Sequence, residues 1–308
     1  MYLVVLAAGD NPRLRPLNED RPAALVPFQG RPLLEKTLSA ATSCGLTDVL
    51  VVGGYRYEAF SGHEAHLLKN PDFATSGPVG TLMIADGVFG DAFVASDGDI
   101  AYKPEVLQAL LASSAEIAVV VDLDWQRYWE RRFGEDLSDA RSLRMAPDGT
   151  IRSIGQTINR LEDAQGQYIG LVMFRGRGVK ALRRAWQRAT GDAAYRRPIL
   201  GHVNAMAKLK IGDVLDELVS GDVPIKAVPV HGGWVEIDTP SDVAAAEERW
   251  NSAGSPVSTA DAAGAAAVTG AGSAAGPAPA NAPQAPAASP SPARPEFELP
   301  QIFRAPRR

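Results

Sequence analysis

Residues 1–30, MYLVVLAAGDNPRLRPLNEDRPAALVPFQG, decide the fold. The opening run MYLVVLAAG, residues 1–9, has the apolar pattern of a β-strand and ends in the small residues Ala7, Ala8 and Gly9. Side chains this small let backbone N–H groups approach a ligand, and such groups bind phosphate oxygens. Arg13 adds a positive charge just beyond them. The stretch therefore predicts a strand followed by a phosphate-binding loop.

Beyond this opening, strand patterns and helix patterns alternate along the chain. Strand patterns cover residues 48–55, 91–100, 116–125, 166–174 and 225–239, and helix patterns cover residues 30–45, 103–114, 178–189, 211–221 and 240–250. This order predicts an α/β fold with a doubly wound, mostly parallel sheet, whose ligands bind beyond the carboxyl ends of the strands. Residues 125–158 are less regular, with a hairpin-like turn APDGT at 146–150, and predict an inserted lobe that faces the substrate.

Composition excludes some classes of partner. The formal net charge of −5 argues against a protein that coats nucleic acid or an anionic membrane. No stretch approaches the roughly 20 apolar residues that a membrane span needs, and the start of the chain lacks a secretion-signal pattern. Cys44 is the only cysteine and cannot form an internal disulfide. We therefore expect a cytoplasmic protein.

The composition changes near Asn251. Residues 251–308 are rich in alanine, proline and glycine and contain few bulky side chains, so this segment cannot bury enough apolar surface to offset its ordering entropy. We expect one domain over residues 1–250, followed by a disordered tail over residues 251–308. The end of the tail, FELPQIFRAPRR, regains apolar and basic residues. The sequence leaves open whether a partner docks on this end of the tail. It also leaves open whether the domain forms a homodimer.

Two pairs of acidic residues lie at predicted strand ends far apart in the chain. Asp97 and Asp99 follow one strand, and Glu236 and Asp238 lie on another. Residues two apart on an extended strand point to the same side, so each pair can face one cavity. Mg²⁺ is typically held by one or two carboxylates together with phosphate oxygens and water. These acids are therefore the candidate metal ligands.

The segment VDLDWQRYWERRF, residues 121–133, combines acids, aromatic residues and arginines. An aromatic face beside Asp122 or Asp124 suits an ammonium group, and Arg131 and Arg132 suit the oxygens of an anionic group. The helical spacing of Trp125, Trp129 and Phe133 is equally typical of side chains that only pack the lobe. Further along, Gln167 and Tyr168 are expected to carry polar groups into the cleft, although packing is an equal alternative for Tyr168.

The opening stretch resembles the nucleotidyltransferase superfamily that couples NTPs to sugar phosphates and small phosphorylated alcohols. The positions in register with its motifs are Leu6 to Gly9, Arg13, Leu14, Pro22, Leu25, Pro27, Gly30, Pro32, Leu33 and Leu34. The segments 70–73, 96–100, 119–143, 165–174 and 232–247 further resemble cytidylyltransferases that act on phosphocholine or 2-aminoethylphosphonate, especially those associated with phosphonate biosynthesis. The resemblance covers residues 1 to about 250.

This resemblance implies a Rossmann-like fold, CTP as the nucleotide, Mg²⁺ as the cofactor, and pyrophosphate as the leaving group. It implies three groups of site residues. The nucleotide would lie on Leu6, Ala7, Ala8, Gly9, Arg13 and Asp97; the catalytic residues would be Arg13, Asp99 and Asp238, the two aspartates binding Mg²⁺; and the acceptor would contact Asp124, Trp125, Gln167, Tyr168 and Glu236.

Three residues depart from the family pattern. Asn11 and Pro12 occupy positions where the family prefers glycine and serine or threonine, and Ala23 replaces its lysine. That lysine neutralises charge on the reacting phosphates, and losing such a group can cost several kcal/mol of transition-state stabilisation. Arg15 or Arg21 could compensate. The alternatives to a cytidylyltransferase are a sugar-1-phosphate nucleotidyltransferase and a degenerate homologue that binds a nucleotide or a partner without turnover.

Overall fold

The structure of the protein, a computed structural model, describes residues 1–191 and 209–252. The strands in these ranges are β1 Tyr2–Ala7, β2 Pro27–Phe28, β3 Arg31–Pro32, β4 Val49–Gly53, β5 His66–Lys69, β6 Ala92–Asp97, β7 Ile100–Tyr102, β8 Ile117–Asp122, β9 Arg141–Met145, β10 Ile151–Thr157, β11 Gln167–Arg175, β12 Lys226–Val230 and β13 Trp234–Glu236. The α-helices are α1 Leu33–Ser43, α2 Pro78–Ile84, α3 Pro104–Ala112, α4 Trp125–Phe133, α5 Arg177–Gly191, α6 Ile211–Ser220 and α7 Asp242–Ser252.

The central sheet has seven strands in the order β12-β8-β11-β6-β1-β4-β5. Its neighbouring strands run parallel except at β11, which is antiparallel to both β6 and β8. The expected α/β fold with a mainly parallel sheet is therefore confirmed. The sequence pattern identified β11 as a strand but carried no information on its direction.

Both faces of the sheet are covered by helices, as a doubly wound fold requires. Alternate residues of β1 belong to different apolar clusters, because Leu3 and Val5 pack with α1 and α3 on one face while Val4 packs with α2, α5 and α6 on the other. The strands are buried on both sides, which explains why β1, β4, β6 and β8 are nearly continuous apolar runs.

The expected hairpin in the irregular segment is present. Strands β9 and β10 pair antiparallel across the turn at residues 146–150. Gly155 in β10 has a φ of +89°, and a Cβ atom there would lie 3.0 Å from the carbonyl oxygen of Gly212 at the start of α6. A side chain at position 155 would therefore be strained and would push α6 away from the hairpin.

A short antiparallel ladder brings distant parts of the chain together. Strand β13 pairs with β7, and the N–H of Ile237 donates to the carbonyl oxygen of Asp99 over 3.0 Å. The ladder therefore places the segment after β13 beside the segment after β6.

The expected disordered tail, 251–308, lies outside the described residues from residue 253 onward, and residues 251–252 complete α7. Within the described ranges, none of the helices combines the length and the apolar character needed to cross a membrane.

Candidate active site

A cavity of about 770 Å³ opens at the carboxyl ends of β1 and β6. These two strands are neighbours, with Leu6 of β1 opposite Asp97 of β6. The loop that follows β1 and the acids that follow β6 therefore emerge side by side. This is the edge of a parallel sheet where ligands bind in doubly wound folds.

The predicted phosphate loop forms one wall of this cavity, lined by Leu6, Ala7, Ala8 and Gly9. Close packing of β1 against the turn after β6 requires a glycine. A Cβ atom at Gly98 would lie 2.7 Å from the carbonyl oxygen of Leu6 and 2.9 Å from the Cβ of Ala7. Gly98 therefore serves close packing on β1, whereas Gly9 has open space around it and lines the cavity.

Asn11 and Pro12, which depart from the family pattern, organise the end of the loop. Pro12 begins a short 3-10 turn over Pro12–Leu14, and the side-chain oxygen of Asn11 accepts a hydrogen bond from the N–H of Arg13 over 3.1 Å. The side-chain amide of Asn11 donates to the Asp238 carboxylate over 2.7 Å and to the Asp238 carbonyl over 3.1 Å. Asn11 thus ties the loop to the segment after β13.

Arg13 lines the cavity and holds two acids at once. Its guanidinium donates to the Asp238 carboxylate over 2.5 Å and to the Asp139 carboxylate over 2.8 Å. The Arg13 side chain remains 53% exposed. The predicted catalytic arginine and the predicted metal ligand Asp238 are therefore in direct contact.

All four acids predicted at strand ends, Asp97, Asp99, Glu236 and Asp238, line this one cavity. Burial, together with repulsion from neighbouring acids, raises the pKa of three of them, Asp97, Asp99 and Asp238. Desolvation, together with Glu236 and Asp238, raises the pKa of Asp97 to about 7, with Lys210 opposing the shift. Desolvation and the neighbouring acids raise the pKa of Asp99 well above its usual range. Desolvation and Glu236 raise the pKa of Asp238 to about 6, against the opposing effect of Arg13 and Arg132.

This acidic group fits a divalent cation that is also bound by phosphate and water. In the described ranges, no group of three or more His, Cys, Asp or Glu side chains is arranged to hold a metal ion by itself. Mg²⁺ needs only one or two carboxylates when phosphate oxygens and water complete its shell. Asp99 and Asp238 could supply that number, and a cation would relieve the repulsion that raises their pKa values.

Ala23 also lines the cavity, so the position of the family lysine faces the site. The two arginines suggested as substitutes are not among the residues that line the cavity, although Asp10, the partner of Arg15, is. Arg15 pairs with Asp10 over 2.7 Å, and Arg21 pairs with Asp20 over 2.8 Å.

Three of the predicted acceptor residues line the cavity: Gln167, Tyr168 and Glu236. The Tyr168 hydroxyl is inaccessible to solvent and has no hydrogen-bond partner among the described residues. The Glu236 carboxylate forms an ion pair with Arg132, whose side chain is 1% exposed and also binds Asp242 over 3.1 Å. Arg132 therefore pairs with two carboxylates, that of Glu236 at the cavity wall and that of the buried Asp242.

The other two predicted acceptor residues, Asp124 and Trp125, are not among the residues that line the cavity. Trp125 begins α4 and is 2% exposed, packed in an apolar cluster with Trp129. The Asp124 carboxylate contacts His231 over 3.0 Å. Because α4 turns Trp125 inward, the next aromatic residues on that face, Trp129 and Phe133, reach the cavity instead.

Asp122 and Arg131, the alternatives in the same segment, also have structural partners. Asp122 is completely buried and accepts hydrogen bonds from the N–H of Gly232 over 3.0 Å and from the indole of Trp234 over 3.0 Å, and it forms an ion pair with Arg249. Arg131 pairs with Glu248 over 3.0 Å on the surface. Neither lines the cavity.

Some residues that line the cavity were not predicted from the sequence as site residues. They comprise the start of α2 with the preceding turn, an acid and a base beside β9, and the start of α6: Phe73, Ser76, Gly77, Asp139, Arg141, Lys210 and Asp213. Lys210 precedes an amphipathic helix, where a lysine is ordinarily solvated.

Comparison with known proteins gives the class to which this site belongs. The family model of the MobA-like NTP transferase domain matches residues 3–206. The chain therefore belongs to the MobA-like NTP transferase family, and the predicted membership of the nucleotidyltransferases is confirmed.

The chain is also similar to individual proteins of known activity. The chain is 27% identical to the CTP:phosphoglutamine cytidylyltransferase of Campylobacter jejuni over 254 residues, which are 79% of this chain and 98% of that protein. It is 32% identical to the CMP-5'-(3-aminopropyl)phosphonate synthase of Streptomyces rubellomurinus over 124 residues, 38% of this chain but only 20% of that protein. The solved CTP:phosphocholine cytidylyltransferase of Streptococcus pneumoniae has the same fold, with a TM-score of 0.59 at 17% identity over 80% of this chain and 97% of its own.

Proposed function

We propose that this protein is a cytidylyltransferase that couples CTP to a small phosphonate or phosphorylated alcohol and releases pyrophosphate. The observation that carries the proposal is the cavity, in which the loop after β1, the acids after β6 and the acids of the β13 segment face one another. Support for the nucleotide comes from similarity to a phosphoglutamine and an aminopropylphosphonate cytidylyltransferase.

The reaction needs positioning and charge balance more than covalent help from the protein. An oxyanion of the acceptor attacks the α-phosphorus, one P–O bond forms, and the bond from that phosphorus to the β-phosphate oxygen breaks, so that pyrophosphate leaves. The N–H groups of Ala8 and Gly9 and the guanidinium of Arg13 are the groups on the loop that would bind phosphate oxygens.

Asp99 and Asp238 would hold Mg²⁺. When bound, Mg²⁺ neutralises phosphate charge. Asp238 is held in place by the Asn11 amide and by Arg13, and Asp99 is fixed by the backbone hydrogen bond between its carbonyl and Ile237. The Asp238 carboxylate and the Asp99 backbone are thus positioned by contacts that do not depend on a ligand.

Pyrophosphate release tests the proposal. Purified full-length protein is incubated with Mg²⁺, one of ATP, CTP, GTP, UTP or TTP, and one acceptor: phosphocholine, 2-aminoethylphosphonate, (3-aminopropyl)phosphonate, phosphoglutamine or glucose 1-phosphate. We expect release that depends on both substrates, with CTP preferred and glucose 1-phosphate inactive. Turnover of glucose 1-phosphate in preference to the others would support the sugar-1-phosphate alternative, and no release with any pair would contradict a transferase.

Ala23 gives a specific reason to keep the degenerate homologue as a second candidate, because the missing lysine leaves a methyl group on the cavity wall. Ala23→Lys separates the two. A fall in rate would show a site rebuilt around alanine and would support the cytidylyltransferase. A gain of about tenfold or more, equivalent to at least 1.4 kcal/mol of transition-state stabilisation, would support a decayed enzyme.

A further inference from the structure

A second wall of the cavity is built from β10, β11 and the start of α6. Gly155, Gln167 to Gly170, and Lys210 to Asp213 line this wall. Its backbone is anchored, because the N–H of Val79 in α2 donates to the carbonyl of Leu209 over 3.1 Å and Gly155 packs on Gly212. The position of Lys210 is therefore set by packing of the fold.

Lys210 is the residue that precedes α6, and its side chain is not needed to cap that helix. The backbone N–H of Lys210 donates to the Asp213 carboxylate over 2.8 Å, so the cap is made by the backbone and by Asp213. No described carboxylate forms an ion pair with the Lys210 ammonium. The two arginines that line the cavity differ, because Arg13 and Arg141 both pair with Asp139, over 2.8 Å and 3.8 Å.

Tyr168 on the same wall supplies an independent observation. Its hydroxyl is shielded from solvent and lacks a hydrogen-bond partner within the described residues, whereas buried hydroxyl groups in proteins are ordinarily hydrogen-bonded. Tyr168 and Lys210 both line the cavity on this wall. A cation and an unsatisfied donor thus face the same cavity.

We propose that Lys210 and Tyr168 form a phosphoryl-binding subsite, in which the ammonium and the hydroxyl donate to oxygens of a phosphate or phosphonate group. This inference deepens the proposed function and rests on it for the identity of the substrates. The shared chemistry is a phosphoryl oxyanion, which the acceptor and the nucleotide triphosphate both carry. Lys210 would supply, from a different element of the fold, positive charge that Ala23 does not provide.

Steady-state kinetics of Lys210→Met test the subsite and identify the source of the anion. Losing a charge-assisted hydrogen bond should raise the KM of one substrate about tenfold or more. A higher KM for the acceptor assigns the subsite to the acceptor, and a higher KM for CTP assigns it to the triphosphate. Tyr168→Phe should raise the same KM by a smaller factor, and Lys210→Arg should restore part of the loss. Unchanged KM values for both substrates in Lys210→Met would overturn the proposal.

Lys180→Met is the matched control. Lys180 is an exposed lysine of α5 that does not line the cavity, so its replacement should leave both KM values unchanged. Thermal unfolding of each variant shows whether a kinetic change reflects lost structure. Because the cap of α6 does not use the Lys210 side chain, Lys210→Met should unfold at the wild-type temperature.

Calorimetric titration with inorganic phosphate separates failure of the subsite from failure of the proposed function. The full-length wild type should bind phosphate, Lys210→Met should bind it about tenfold more weakly or not at all, and Lys180→Met should match the wild type. This result would support the subsite even if no NTP and acceptor released pyrophosphate. Equal binding of phosphate to wild type and Lys210→Met, or no binding to either, would count against it.

Discussion

Asp122 and Asp99 look alike in the sequence and differ completely in the fold. Each lies at the end of an apolar strand pattern, Asp122 on β8 and Asp99 just after β6. Asp122 is surrounded by an arginine, an indole N–H and a backbone N–H. Asp99 is surrounded by Asp97, Glu236 and Asp238, which raise its pKa together with desolvation. Both acids lie at strand ends, so position does not distinguish a structural acid from a candidate catalytic one. The difference is whether a cation and N–H donors balance the negative charge, as they do for Asp122 and not for Asp99.

The comparison predicts that the two acids fail in opposite ways when they are replaced. Loss of Asp122 should cost folding and spare chemistry in the folded molecules. Loss of Asp99 should cost chemistry and spare folding.

The largest expected effect is on folding, in Asp122→Ala. The change leaves the mostly buried guanidinium of Arg249 without its carboxylate, and breaking a buried ion pair from one side typically costs about 3–5 kcal/mol. Urea unfolding followed by tryptophan fluorescence measures the loss. The double variant Asp122→Ala with Arg249→Met removes both charges and should lose less than Asp122→Ala alone. A free energy of unfolding equal to that of the wild type in Asp122→Ala would show that the pair contributes nothing.

Asp99→Asn should give the largest effect on catalysis. Removing one charged group of the proposed metal site is expected to lower the rate of pyrophosphate release about 10²–10³-fold. The free energy of unfolding should not fall, because the change removes a charge from a repulsive group of acids. Asp91→Asn, at the exposed other end of β6, is the matched control and should keep the wild-type rate. A wild-type rate in Asp99→Asn would remove Asp99 from the catalytic residues.

The smallest effect is expected in Asp124→Asn, which tests the prediction that Asp124 contacts the acceptor. Asp124 contacts His231, and both side chains are partly exposed, so their pairing contributes at most about 1 kcal/mol to stability. Asp124 does not line the cavity, so the KM of the acceptor should stay within experimental error of the wild-type value. A rise in that KM alone would return Asp124 to the acceptor site.

The sequence predicted the parts of the site that depend on local pattern. The apolar run of β1 and the small residues after it located the loop, and spacing by two residues placed Asp97 with Asp99 and Glu236 with Asp238 in one cavity. Both features follow from strand geometry and from the meeting of strand ends at one edge of a sheet.

The rest depends on contacts between distant segments, which no local pattern encodes. Helical spacing put Trp125, Trp129 and Phe133 on one helix face but could not say which of them the fold would bury. Asp122 has a structural role because it pairs with Arg249, which lies 127 residues further along the chain. Lys210 reaches the cavity because Leu209 is bonded to α2, and nothing in the surrounding sequence indicates that bond.

The hydrogen bond from Asn11 to Asp238 spans 227 positions of the chain. During synthesis the loop after β1 is translated 227 positions before its carboxylate partner. The match to the family model ends at residue 206, before Asp238. Until residue 238 has been translated, a nascent chain carries the loop without the aspartate to which it is fastened. Completion of the cavity therefore waits for the segment after β13.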